Sequence, residues 1–69
     1  MRIIVHTKHG VFYGIESDYN ESDYLEATSF LKRLNFLEYF TLTTDDGEVY
    51  LPKEMINDSV FIIEKQENN

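Results

Sequence analysis

Sixty-nine residues, 42% of them aliphatic or aromatic, are enough for one domain and too apolar for a disordered chain. Thirteen acids against six bases leave a net charge of −7, which disfavours nucleic acids and anionic membranes as direct partners. There is no cysteine, and so no disulfide and no thiolate metal site.

A chain this short buries only roughly 60% of its unfolded surface, so its stability is thin. Small domains compensate with disulfides, a metal or a partner subunit. Without cysteine, a homo-oligomer is the compensation to expect. No apolar run approaches the ~18–20 residues of a membrane span, and no signal-peptide core is expected at the start. The default location is the cytoplasm.

Met1 to Glu16 reads as a β-hairpin in which Ile3 and Val5 alternate with Ile4 and His6. A three-residue loop, Lys8-His9-Gly10 with Gly10 in the left-handed bulge position, would put Ile3 and Val5 on one face with Val11, Tyr13 and Ile15. A two-residue loop would mix the faces.

A helix over 21–34 follows. Asn20 is a good N-cap, and Glu21 and Asp23 in the first turn suit the helix dipole. Tyr19 and Tyr24 are spaced as a hydrophobic staple. Tyr24, Ala27, Phe30, Leu31 and Leu34 share one stripe, with Leu25 off it. Lys32 and Arg33 are expected in the last turn, with Asn35 as C-cap.

In the second hairpin, Phe40 and Leu42 face the same way as Val49 and Leu51 if Asp46-Gly47 is a two-residue turn. Pro52 ends that strand. Lys53 to Asn57 form a helical turn anchoring Met55 or Ile56, Ser59 to Glu64 a last strand, and 65–69 a frayed polar tail. The fold expected over 1–64 is therefore one α+β domain. It holds a single, mostly antiparallel sheet of four to five strands in ββαβββ order, with the helix on one face. The other face would carry Ile4, Phe12, Tyr39, Thr41 and Tyr50. Phe12, Tyr39 and Tyr50 are thus the candidate oligomer face.

The chemistry-bearing residues argue against an enzyme. His6 and His9 lack a third fixed ligand for a metal, and Asp45-Asp46-Gly47-Glu48 has hairpin-turn rather than calcium-loop spacing. No triad arrangement and no glycine-rich phosphate loop is present. No catalytic residue, metal or cofactor is expected. What local helix chemistry leaves unexplained is the acidic run "SDYNESDYLEA", residues 17–27, inside a stretch from Gly10 to Leu31 without lysine or arginine. Asp18, Tyr19, Asp23, Tyr24 and Glu26 are the candidate partner-binding residues, suited to a basic surface on another protein. One special case is a DNA mimic whose carboxylates stand in for phosphates in a nucleic-acid-binding groove. The competing reading is a self-assembling structural or regulatory protein whose function belongs to the homo-oligomer.

Taken together, "MRIIVHTKHGVFYG", the acidic-capped helix, "TLTTDDGEVYLP" and the closing "VFIIEK" resemble the small proteins encoded by phages, prophages and plasmids of Firmicutes. The likeness spans residues 1–64 and transfers no site residues. It implies a binding protein more than a catalyst, of the kind that inhibits a host enzyme or a defence protein stoichiometrically.

Overall fold

The computed structural model describes residues 1–65. Its strands are β1 (Arg2–Thr7), β2 (Gly10–Tyr13), β3 (Tyr39–Thr44), β4 (Gly47–Pro52) and β5 (Val60–Glu64). Helix α1 (Glu21–Leu31) precedes β3, a 3-10 turn covers Leu34–Phe36, and the short helix α2 (Lys53–Asn57) joins β4 to β5. The protein is α+β with antiparallel pairing throughout these strands, but the single sheet expected from the sequence is replaced by two. One has the order β2-β1-β5 and the other is the β3-β4 hairpin. They meet where the chain leaves β2, as Gly14 N–H donates to the Ile3 carbonyl at 2.7 Å and Ile15 N–H to the Thr43 carbonyl at 3.1 Å.

Gly14 makes that junction possible. A Cβ there would lie 2.9 Å from the Ile3 carbonyl oxygen and 3.1 Å from Leu42 Cδ1. Only a residue without a side chain lets the two backbones and Leu42 come so close.

Both hairpins turn by the same local device. Thr7 Oγ1 donates to the Gly10 carbonyl at 2.9 Å and accepts from His9 N–H at 3.0 Å. Thr44 Oγ1 donates to the Gly47 carbonyl at 2.9 Å and accepts from Asp46 N–H at 3.2 Å. Gly10 (φ 138°) and Gly47 (φ 137°) take the positive φ that a side chain resists. The loops are therefore Lys8-His9 and Asp45-Asp46, closed by the pairs Thr7–Gly10 and Thr44–Gly47.

For the second hairpin this moves the loop one residue from Asp46-Gly47 but keeps the faces, with Phe40 opposite Leu51 and Leu42 opposite Val49. For the first hairpin it overturns the three-residue loop. Val5 pairs with Phe12 and Ile4 with Tyr13, so Phe12 turns inward while Val11 and Tyr13 turn outward.

The core is Val5, Leu42, Leu51 and Ile56, with Ile3, Phe12, Phe40 and Phe61 among the side chains packed around it. Burial of each fully covered aliphatic side chain contributes roughly 1.5–3 kcal/mol. Helix α1 is fastened by aromatic contacts: Phe30 meets Phe40 at 5.5 Å between ring centroids, and Phe40 meets Phe61 edge-on at 5.4 Å. The helix ends sooner than expected. Lys32 N–H donates to Ser29 O and Arg33 N–H to Phe30 O, short-range bonds that tighten the chain out of the helix. Lys32 is the C-cap, so Lys32 and Arg33 lie beyond the last turn and Asn35 falls within the 3-10 turn.

Lys53 secures the connection that follows, its ammonium donating to the carbonyls of Asn35 at 3.0 Å and Leu37 at 3.2 Å. Ile56 is the anchor of α2, and Ser59 precedes β5 rather than opening it. Of the polar tail expected over 65–69, residues 66–69 lie outside the described residues. Among the described residues no helix is long and apolar enough to cross a membrane.

Candidate functional site

The start of α1 is closed by a side-chain cap and a tyrosine pair. Asn20 caps the helix, its Oδ1 accepting from Asp23 N–H at 3.0 Å. Tyr19, before the cap, and Tyr24, in the first turn, meet with ring centroids 5.9 Å apart and planes tilted by 52°. Tilted aromatic pairs at this distance are favourable beyond the area they bury. Both tyrosines are half-buried, whereas Asp18, Asp23 and Glu26 are exposed. Asp23 and Glu26, three apart on the helix, are neighbours on its surface. The structure therefore packs the two rings against each other and leaves Asp18, Asp23 and Glu26 exposed on the same segment.

It also supplies a base that the chain order hides. Lys65 Nζ lies 5.4 Å from the Tyr19 ring centroid and 5.8 Å from that of Tyr24, over both faces. The signal was the pairing of β1 with β5. Continuing the register beyond Arg2 opposite Glu64 brings Lys65 alongside Met1, whose carbonyl accepts from Ser17 N–H at 2.8 Å. Ser17 is two residues from Tyr19. The run from Gly10 to Leu31 is free of bases in sequence but not in space.

The residues expected to form an oligomer face are divided. Tyr39 and Tyr50 stack on the outside of the β3-β4 hairpin, centroids 5.9 Å apart and planes at 24°. Phe12 packs against the core on the other sheet. In its place on the outer surface of β1, β2 and β5 stand Val11 and Tyr13, with Val60 and Ile62 from β5, all exposed. Tyr13 also lies under the Arg2 guanidinium, 5.0 Å from the ring centroid, and Arg2 Nε donates to Glu64 Oε1 at 2.6 Å. The hydrogen bond to Glu64 is the main reason that Arg2 titrates above even its usual range. A raised base contributes stability below its ordinary pKa and loses it only above its folded one, so Arg2 adds no pH dependence near neutrality.

Elsewhere, His6 and His9 are both exposed, and Glu48 of the acidic turn accepts from Thr43 Oγ1 at 2.8 Å. Among the described residues no group of three or more histidine or acidic side chains gathers as a metal site. The hollow between Lys8, His9, Met55 and Asp58 encloses about 220 Å³ and opens to solvent, with Lys8 Nζ 3.2 Å from Asp58 Oδ2 at its rim. That is smaller than the ~300–1,000 Å³ of pockets that enclose organic ligands, whereas the open groove beside Gly14, Phe40 and Leu42 measures about 360 Å³.

No family model, curated protein or solved structure matches the chain.

Proposed function

We propose that this chain is a non-enzymatic protein-binding module that docks on a basic surface of another protein through Tyr19, Tyr24, Asp18, Asp23 and Glu26. The observation that carries this reading is the Tyr19–Tyr24 pair, 5.9 Å apart under Lys65, on a segment whose Asp18, Asp23 and Glu26 are exposed. Rings that are already ordered lose little entropy on binding, and tyrosine is enriched among residues that dominate interface energetics. The exposed carboxylates of the segment would steer a basic partner and fix its orientation. In this reading the protein acts by occupancy, as an inhibitor in the cytoplasm would. A partner that binds nucleic acid would be blocked in its groove.

Asp18 and Glu26 are the acids to reverse, because neither is needed by the cap, which uses Asn20 and Asp23 N–H. A folded Asp18→Lys/Glu26→Lys variant is expected to bind the captured partner at least tenfold more weakly, mainly through a slower association rate. Wild-type binding is expected to weaken as salt is raised. Unchanged affinity in the folded variant would reduce the acidic run to a solvated helix start.

A further inference from the structure

We propose that Tyr19 and Tyr24 form a seat for a primary ammonium group, that Lys65 occupies it in the free protein, and that a lysine side chain of the partner displaces Lys65 on docking. This rests on the reading of the α1 start as a binding surface and adds the chemistry of what that surface takes. The two rings do not lie flat on each other: their planes are tilted by 52° with centroids 5.9 Å apart. The cation already there gives the seat its chemistry. Lys65 Nζ lies 5.4 Å from the Tyr19 centroid and 5.8 Å from that of Tyr24, both within the ~6 Å over which a ring quadrupole attracts a cation.

The geometry selects an ammonium over a guanidinium. Arginine stacks its plane flat on one ring, whereas two tilted rings meet a single atom, which suits the compact head of lysine. Asp18 and Asp23 adjoin the two tyrosines in sequence, and both are exposed on a chain with a net charge of −7, so a positive ligand is favoured.

Lys65 can leave without unfolding anything. It follows Glu64, the last residue of β5, which is paired with Arg2 across the sheet and bonded to its side chain at 2.6 Å. The strand holds while the exposed Lys65 side chain rotates about its flexible stem. Exchange of one ammonium for another gains only the difference between the two. Lys65 is thus an internal competitor, lowering the apparent affinity of any cation by the fraction of molecules in which the seat is filled. Stray cations are turned away, and a partner that also engages the exposed carboxylates is not.

n-Butylammonium, a lysine side chain without its backbone, tests the seat with no partner present. Tyrosine ring and Lys65 Hε resonances are followed by NMR at constant ionic strength, with n-butanol as the uncharged control. In the wild type, ring currents should place the Lys65 Hε signals upfield of those of Lys8 and Lys32, and added n-butylammonium should move them back. In Lys65→Ala the same cation should shift the Tyr19 and Tyr24 rings saturably and bind roughly threefold or more tighter than in the wild type. n-Butanol should give no saturable shift at either ring. Should the variant fail to fold, the wild-type titration reads the same exchange without a substitution. Equal affinities in the two proteins, equal shifts with n-butanol, or Lys65 Hε signals that stay in place would each overturn the assignment. The outcome is separate from that of the Asp18→Lys/Glu26→Lys test. Weaker partner binding there with no ammonium seat here would keep the docking surface and remove Lys65 from its working.

Discussion

Ile15 donates its backbone N–H to the carbonyl of Thr43 at 3.1 Å, and through this bond the three-stranded sheet is stitched to the β3-β4 hairpin. The junction depends on the residue before it. Gly14→Ala places a Cβ 2.9 Å from the Ile3 carbonyl, a contact that backbone must move to relieve. The substitution is expected to cost about 1–3 kcal/mol, as overpacking does, read as a lower midpoint in urea with an unchanged slope.

The two turns are expected to depend on their threonines equally. Thr7→Ala and Thr44→Ala each remove a hydroxyl that closes the loop with two hydrogen bonds. A loss of about 0.5–1.5 kcal/mol is expected for each, and Ser in place of either Thr should restore most of it. Gly10→Ala and Gly47→Ala should cost about as much again through their positive φ.

Removing the helix cap isolates local from tertiary support. Asn20→Ala should cost about 1 kcal/mol, and amide exchange should quicken first in the opening turn of α1. Loss of the Phe30 ring should act differently, loosening the whole helix from Phe40. Uniform exchange across α1 in the Asn20 variant would show that the cap is not what holds the first turn.

Leu51 is fully buried in the cluster with Val5, Leu42 and Ile56. Leu51→Ala is expected to cost about 2–5 kcal/mol, a large fraction of what a domain this small can have. Circular dichroism at 37 °C should show a substantial unfolded population. The same truncation at Leu25, which is 57% exposed, should be close to neutral.

The start of α1 was legible in the sequence because each of its signals is local: a cap, a staple and acids in the first turn. The register of the second hairpin was nearly so, since polar threonines alternate with Phe40 and Leu42. The first hairpin could not be read by alternation. Ile3, Ile4 and Val5 are consecutive on one strand, as are Val11, Phe12 and Tyr13 on the other, so both registers bury apolar side chains. The turn decides instead, and its signature, a Thr three residues before a Gly, occurs at both Thr7–Gly10 and Thr44–Gly47. Reading Gly10 as a bulge sent Phe12 to the wrong side and with it the expected oligomer face. The split into two sheets was hidden for another reason: Gly14 looks like an ordinary strand position until the neighbour it must clear, Leu42, is known. Lys65 was missed because its proximity to Tyr19 and Tyr24 comes from strand pairing across the whole chain.

Because each hairpin tip is closed by its own Thr and Gly, the two residues at its apex, Lys8-His9 or Asp45-Asp46, take no part through their side chains in closing the turn. The tips are in that sense sockets with interchangeable contents. Asp45-Asp46 shares a hollow with Val11, Phe12 and Tyr13, so a dye or a short epitope carried there would report on that edge of β2. Exchanging the two dipeptides would reverse the charge of each tip while leaving the composition of the chain unaltered. Such a chimera would report how far charge placement, separate from charge total, governs what this molecule meets.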